Sequence, residues 1–94
     1  SASTGGVVSM TLPRARDLAS VGIRVNTIVP GLIHTPLCDG MPDELYESLT
    51  SAIVFPKRMG RPEEVAKLSV DIVENDFING ECIRIDGAMR LQPR

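Results

Sequence analysis

The sequence predicts an α/β fold, the carboxyl-terminal part of a doubly wound, open parallel sheet. Two short segments rich in β-branched residues, 23–29 and 81–85, predict buried strands. Helical patterns precede and separate them, giving the order helix, strand, small helix, helix, strand. A strand–helix–strand unit almost always crosses over right-handed and makes its strands parallel neighbours. We therefore expect the two strands to pair in parallel.

The first element predicted is a helix over residues 1–20. Its apolar residues recur at spacings of three and four, which places one stripe on a single face: Val8, Leu12, Ala15 and Ala19. Pro13 removes one backbone donor and could bend the helix. Gly22 can adopt positive φ at little cost, so it is suited to end the helix.

The segment 23–29 carries apolar side chains on both faces and ends at Pro30, which favours a strand buried in a parallel sheet. The second strand, 81–85, ends at Asp86 and Gly87. A two-stranded parallel sheet is not stable alone. We therefore expect residues 1–94 to be the carboxyl-terminal part of a single domain whose upstream half is absent. The isolated chain should be neither stable nor active.

Two helices are predicted between the strands. Pro42 with Asp43 and Glu44 is a start signal, and carboxylates in a first turn suit the helix dipole. That short helix continues one apolar face, Leu45, Leu49 and Ala52. Arg61 and Pro62 begin the second helix, which should end near Glu74 or Asn75. Its stripe is Val65, Leu68 and Ile72.

Composition excludes several classes of function. Lys and Arg total 10 against 12 Asp and Glu, for a net charge of −2, and no basic face stands out, so nucleic acid is not an implied partner. No apolar run approaches the length that spans a bilayer. Cys38 and Cys82 form no CxxC pair and are expected to be reduced thiols.

Four segments, in this order and spacing, resemble the short-chain dehydrogenase/reductase family. They are SASTGGV at residues 1–7, IRVNTIVPGLIHTP at 23–36, RPEEVA at 61–66 and NGECIRIDG at 79–87. The resemblance covers essentially the whole chain and implies a Rossmann-like fold. The segments TLPRARDLA, at 11–19, and DGAMRLQP, at 86–93, are most similar to the hydroxyacyl-CoA dehydrogenases of that family.

The resemblance implies an NAD-dependent enzyme that oxidises a secondary alcohol, such as a 3-hydroxyacyl-CoA or a hydroxysteroid. Its cofactor-binding residues would be Pro30, Gly31, Leu32, Ile33 and Thr35. Backbone groups of Leu32 and Ile33 would meet the nicotinamide amide, and the Thr35 hydroxyl would reach the amide or the pyrophosphate. A plain turn that ends the strand is the alternative.

The family's catalytic serine and tyrosine would lie upstream of Ser1, so no catalytic residue is assigned within this chain. The family's lysine, which lowers the pKa of the tyrosine, corresponds to Thr4. An uncharged threonine cannot act by that route. It indicates an altered mechanism, a non-catalytic homologue or assembly subunit, or an error or engineered change, or else it is a solvated residue of a first helical turn. An enzyme similar to the 3-oxoacyl-acyl-carrier-protein reductases is a further alternative.

Other polar residues carry weaker hypotheses. His34 is the single histidine, but its place among the cofactor-loop residues argues against acid/base catalysis. Asp39, Asp43 and Glu44 fit a helix start better than a metal site, and no metal ligands are assigned. Residues 37–55 would form an apolar lid for an acyl chain or a steroid, or else an amphipathic helix that packs on its own domain.

The resemblance further implies a homotetramer, because the family's first helix and its last strand and helix lie at subunit interfaces. A small-molecule alcohol would be the other partner. The compartment would be cytoplasmic in a bacterium and mitochondrial in a eukaryote.

Overall fold

A long helix opens the chain and ends at a glycine. The computed structural model describes the backbone of residues 2–89 and the side chains of residues 5–89. Helix α1 spans Ala2–Leu18, includes Pro13, and continues as a single 3-10 turn over Ala19–Val21. Gly22 follows with φ 76°, and its N–H donates to the Ala19 carbonyl oxygen at 3.0 Å. Gly22 thus ends the helix in the left-handed conformation that the sequence predicted.

The packing face of α1 differs from the predicted stripe. Ala15 is buried, with 3% of its surface exposed, but Leu12 and Ala19 are exposed. Thr11 is buried instead, at 2% exposure, and its Oγ1 lies 2.6 Å from Oγ1 of Thr27. A hydroxyl pair joins α1 to the first strand, and periodicity of apolar residues alone cannot predict a buried polar contact.

The two strands pair in parallel, as predicted. Strand β1 spans Thr27–Pro30 and strand β2 spans Cys82–Ile85. Thr27 lies opposite Cys82 at one end of the pair, and Pro30 lies opposite Ile85 at the other. The fold is therefore α/β with a parallel sheet, and the carboxyl ends of both strands meet at one edge.

Strand β1 begins four residues later than the segment 23–29 predicted, and it includes Pro30. The turn before β2 lies beside residues 24–26, where one backbone bond, from the Gly80 N–H to the Val25 carbonyl at 2.9 Å, is accompanied by side-chain bonds. The Asn26 amide nitrogen donates to the Ile78 carbonyl at 3.0 Å, and its oxygen accepts from the Glu81 N–H at 3.1 Å. A segment held mainly by side-chain bonds does not form the regular backbone ladder of a strand.

Helices α2, Asp43–Thr50, and α3, Pro62–Glu74, lie between the strands as predicted. In α3 Ile72 is buried and Val65 and Leu68 are half-buried, which confirms the predicted stripe. The apolar face predicted for α2 lies on the exposed side of the helix and does not pack on the described residues. Leu45, Leu49 and Ala52 are exposed, whereas Tyr46 is half-buried and Thr50 is 6% exposed. Tyr46 and Thr50, four residues apart, share the inward face.

The core within the described residues is small. Its buried apolar side chains are Ala15, Ile53, Met59 and Ile72. Many large apolar side chains are exposed on all three helices and on the connection after α2, including Val7 on α1, Phe55 before α3 and Val73 on α3. A parallel sheet of two strands covers little apolar surface, which agrees with this small core. Within residues 2–89, helices are all too short or too polar to cross a membrane.

Candidate functional site

The connection after β1 leaves the sheet at the carboxyl edge, where ligands bind in open α/β sheets. The N–H of Gly31 donates to the carbonyl oxygen of Ile85 at 3.1 Å. A Cβ atom on Gly31 would lie 2.5 Å from Cβ and 2.9 Å from Cα of Asp86. Residue 31 must therefore be glycine for the two chain segments that follow the strands to come this close.

The segment from residue 30 to residue 35, here called the 30–35 loop, makes backbone hydrogen bonds to a segment distant in sequence. Gly60 donates its N–H to the Leu32 carbonyl and accepts from the His34 N–H, both at 2.8 Å. Ile33 and Gly60 thereby form a parallel bridge. A Cβ on Gly60 would lie 2.8 Å from Cδ1 of Ile33, the end of a flexible side chain, and 3.7 Å from the Leu32 carbonyl oxygen, so the two segments pack closely here. The loop has a backbone partner just before α3.

Two backbone donors of this loop are not used internally. Within residues 2–89, the N–H groups of Leu32 and Ile33 and the carbonyl of Ile33 make no hydrogen bond, although both residues are half-buried. The Leu32 carbonyl is occupied by Gly60. Of the backbone groups predicted to meet a carboxamide, three are free of partners in the described part of the chain.

Side chains hold the partner segment, residues 59–61, in place from the α3 side. The Arg58 guanidinium donates two bonds of 2.9 Å to the Glu64 carboxylate and one of 3.0 Å to the Met59 carbonyl. Oε1 of Glu64 also accepts from the Arg61 N–H at 2.7 Å. A bidentate pair is more directional than a single contact, so it sets the position of the segment as well as binding it.

The charged pair shifts both partners in the direction that favours ionisation. The hydrogen bonds from Arg58, and then that from the Arg61 N–H, lower the pKa of Glu64 from 4.5 to about 2. The hydrogen bond to Glu64 raises the pKa of Arg58 above its ordinary value. Glu64 is thus a carboxylate at any pH at which the protein is expected to work.

Helix α2 reaches the same segment through one side chain. The Tyr46 hydroxyl accepts a hydrogen bond of 3.1 Å from the Met59 N–H, and Met59 is 5% exposed. Sequence reasoning missed Tyr46, Arg58, Gly60 and Glu64. A signal existed for Glu64, which stands three residues after Arg61 in the spacing of a capping box. No sequence pattern indicated the other three.

The remaining site candidates, His34 and Thr35, are the last two residues of the 30–35 loop. Thr35 is exposed, and its Oγ1 lies 3.8 Å from Sγ of Cys38. Nε2 of His34 lies 3.1 Å from Oδ1 of Asp39, and the two side chains are 42% and 75% exposed. His34 therefore forms a surface pair. It also borders an open cleft of about 400 Å³, lined by His34, Tyr46, Arg58, Met59, Arg61, Pro62 and Glu63.

The acidic residues and cysteines have local roles. Asp43 and Glu44 occupy the first turn of α2, as predicted for a helix start. Among the residues described, His, Cys, Asp and Glu form no group of three or more that could hold a metal ion. Cys38 and Cys82 are free thiols. The roles predicted for the side chain of Thr4 lie outside the described residues.

The parallel pair, the crossover through α3 and the ligand-side loop define this chain as part of an open α/β sheet of the Rossmann type. The profile of the family described as enoyl-(acyl carrier protein) reductase matches residues 1–90. The chain belongs to the short-chain dehydrogenase/reductase family, and the resemblance stated from its motifs is confirmed.

Several relatives that are more than half identical to the chain share one name. It is 58% identical over 93 residues to the 3-hydroxyacyl-CoA dehydrogenase type-2 of Bos taurus and 57% identical to that of Homo sapiens. Each match covers 99% of this chain and 36% of the relative. A crystal structure of 3-hydroxyacyl-CoA dehydrogenase type-2 from Mycobacterium avium superposes with a TM-score of 0.92 at 44% identity, covering 99% of this chain and 36% of that one.

A reductase is also similar. The 3-oxoacyl-acyl-carrier-protein reductase of Thermotoga maritima is 39% identical over 90 residues, 94% of this chain and 36% of its own length. The chain thus spans about a third of the length of the curated relatives that it matches.

Proposed function

We propose that the chain is the carboxyl-terminal part of an oxidoreductase that uses NAD to oxidise a secondary alcohol, such as a 3-hydroxyacyl-CoA or a hydroxysteroid. The observation that carries this is the 30–35 loop, which leaves a parallel strand at its carboxyl end and is held against Gly60. The 58% identity to a protein named 3-hydroxyacyl-CoA dehydrogenase type-2 supports the hydroxyacyl-CoA substrate.

The 30–35 loop would hold the nicotinamide end of the cofactor through Pro30, Gly31, Leu32, Ile33 and Thr35. A carboxamide has both donors and an acceptor, and the unpaired backbone groups of Leu32 and Ile33 offer the complementary set within residues 2–89. The exposed Thr35 hydroxyl can both donate and accept. The choice of NAD over NADP rests on the resemblance.

The chemistry divides between this chain and the rest of the protein. When bound, the dinucleotide supplies the acceptor for the hydride that leaves the alcohol carbon. This chain positions the nicotinamide end through the 30–35 loop and its Gly60 partner. By resemblance to the family, the hydroxyl proton passes to a tyrosine, with a serine beside it, both upstream of Ser1.

The outer surface of residues 37–55 would cover the substrate. Apolar side chains remain exposed there: Leu37 at 95%, Leu45 at 47%, Leu49 at 38% and Phe55 at 79%. Exposed apolar surface of this extent marks a ligand or packing site, which supports an acyl chain or a steroid as the ligand. Met41, half-buried, and Ile53, 2% exposed, belong to the chain's own packing.

The assembly proposed is a homotetramer. Exposed apolar side chains on α1, such as Val7 and Met10, and on α3, such as Val70 and Val73, support packing against further protein at both helices. The compartment proposed is the cytoplasm in a bacterium and the mitochondrion in a eukaryote.

The proposal is tested with the full-length protein, NAD⁺ and a 3-hydroxyacyl-CoA, following formation of reduced nicotinamide. We expect turnover with NAD⁺ and at least tenfold slower turnover with NADP⁺. Turnover of a hydroxyacyl thioester of acyl carrier protein with NADP⁺, and not of the CoA ester, would instead favour the reductase that the 39% identity supports. Failure to bind either dinucleotide would overturn the proposal.

Thr4 motivates a second candidate, a non-catalytic homologue or assembly subunit with the same fold. It predicts that the full-length protein binds dinucleotide but turns over no hydroxyacyl-CoA. Thr4→Lys would then raise the rate by on the order of 10²-fold or more, since a cation beside the tyrosine restores proton transfer. Ser9→Lys on the exposed surface of the same helix is the matched control. Rapid turnover by the unsubstituted protein rules this candidate out.

A further inference from the structure

One tyrosine side chain joins the proposed substrate lid to the proposed cofactor loop. The Tyr46 hydroxyl on α2 accepts from the Met59 N–H at 3.1 Å. The next residue, Gly60, makes two backbone bonds of 2.8 Å to the 30–35 loop. Three hydrogen bonds therefore connect α2 to the loop across only two intervening residues.

The segment that joins α2 to the loop, residues 59–61, is held by hydrogen bonds along its whole length. The Met59 carbonyl accepts from Arg58, and the Arg61 N–H donates to Glu64, so every backbone group from the Met59 N–H to the Arg61 N–H is bonded. Met59 itself is buried. Because a fully bonded, packed segment moves as a unit, displacement at its first N–H is transmitted to Gly60.

No other side chain provides this link from α2. Within residues 2–89, the Tyr46–Met59 bond is the single side-chain hydrogen bond between α2 and residues 58–64. The other inward residue of α2, Thr50, bonds carbonyls of its own helix, those of Tyr46 and Glu47. Arg58 and Glu64 hold the segment from the α3 side.

We infer that Tyr46 is a positioning residue. It couples substrate binding on the outer face of α2 to the position of the 30–35 loop. The inference rests on the proposed function. The outer face of α2 carries Leu45 and Leu49, which a substrate would cover, and the inner face carries Tyr46. A substrate that settles on α2 orders the Tyr46–Met59 bond and, through Gly60, the loop that holds the cofactor.

The test is the affinity of the full-length protein for NADH with and without a 3-hydroxyacyl-CoA, two ligands that cannot react with each other. In the unsubstituted protein the hydroxyacyl-CoA should tighten NADH binding. Tyr46→Phe should reduce that enhancement by roughly three- to tenfold, the loss of about one hydrogen bond, while the Kd for NADH alone changes less than twofold. Ser48→Ala, which removes an exposed hydroxyl from the same helix, should leave the enhancement intact.

An unchanged enhancement in Tyr46→Phe overturns the inference, as does an equal loss of affinity with and without the hydroxyacyl-CoA. If the unsubstituted protein binds NADH and turns over substrate but shows no enhancement, the inference fails and the proposed function stands. If it binds no dinucleotide, both fail.

A second measurement does not depend on the variant being stable. Amide hydrogen exchange of Met59 and Gly60 in the unsubstituted protein should slow when the hydroxyacyl-CoA binds in the absence of nucleotide. Exchange rates that stay the same at both amides would contradict the coupling.

Discussion

Arg58 and Glu64 face each other across the start of α3, joined by two hydrogen bonds of 2.9 Å between guanidinium and carboxylate. Their side chains are 31% and 42% exposed, so the pair is neither buried nor fully solvated. Glu64 also accepts from the Arg61 N–H. The pair closes a short turn around Gly60, the residue that holds the 30–35 loop, and so connects a surface ion pair to the candidate site.

Acid should weaken this pair in a defined range of pH. The pKa of Glu64 in the folded protein is lowered from 4.5 to about 2, so its stabilising contribution is complete above pH 4.5 and is lost as the pH falls towards 2. We expect Glu64→Gln to lower the free energy of unfolding of the full-length protein at neutral pH. The difference from the unsubstituted protein should shrink between pH 4.5 and 2, as measured by denaturant unfolding at a series of pH values.

Glu63→Gln is the control for this experiment. Glu63 lies in the same first turn of α3 but makes no hydrogen bond or ion pair within residues 2–89. It should show little of the pH-dependent difference. Equal effects of the two substitutions would mean that the helix dipole, not the Arg58 pair, is the cause.

Gly31→Ala should disrupt the carboxyl edge of the sheet. The new methyl group would lie 2.5 Å from Cβ of Asp86, too close for a relaxed contact. We expect a loss of about 1–3 kcal/mol in unfolding free energy, and weaker dinucleotide binding, because the loop must move away from β2. Gly6→Ala on α1, where nothing lies within 4 Å, should be neutral or stabilising. Similar stability for both variants would contradict the close approach.

Thr11→Val tests the hydroxyl pair between α1 and β1. It removes the 2.6 Å contact with Thr27 while nearly preserving side-chain volume. The expected cost is about 1–2 kcal/mol in unfolding free energy, because the half-buried Thr27 hydroxyl loses its partner and the bond from Thr11 to the Val7 carbonyl is lost as well. Ser9→Ala, which removes an exposed hydroxyl bonded to the Gly6 carbonyl, should cost much less in the same denaturation series.

Arg24→Lys should weaken the contact between the segment before β1 and the residues that end and follow α3. The guanidinium nitrogens lie 2.9–3.1 Å from four carbonyl oxygens there, those of Ile72, Val73, Asn75 and Ile78. An ammonium group cannot reproduce this fork, so we expect the unfolding free energy to fall by about 2 kcal/mol. Arg16→Lys near the end of α1 is the control. A thermal midpoint unchanged by Arg24→Lys would show that the carbonyls are satisfied without the arginine.

The isolated polypeptide of 94 residues should unfold without a cooperative transition. Its buried apolar side chains number four within the described residues, and its sheet has two strands. Such a sheet does not stabilise itself. Calorimetry of the isolated chain should give no sharp heat-absorption peak, whereas the full-length protein should give one. A sharp peak from the monomeric fragment would refute this expectation.

Much of the fold was predictable because it depends on local patterns. The order of elements, the αL ending at Gly22, the starts of α2 and α3 and the parallel pairing of the strands all follow from turn residues, periodicity and crossover handedness. The 30–35 loop was predictable as the candidate site only through the family resemblance, because its residue pattern alone favours a plain turn at the end of a strand.

The sequence by itself determined the family and the place of the loop, because short motifs in a fixed order along the chain indicate both. Only the tertiary structure decided which face of α2 turns inward and which residues hold Gly60. Tyr46 contacts Met59, 13 residues away, and Arg58 contacts Glu64, 6 residues away, and the periodicity of apolar residues indicates neither contact. On the inward side of α2 the Tyr46 hydroxyl accepts from the buried Met59 N–H, while Leu45 and Leu49 stay exposed. The spacing of apolar residues cannot indicate this arrangement, because a polar contact between separate segments defines the inward side.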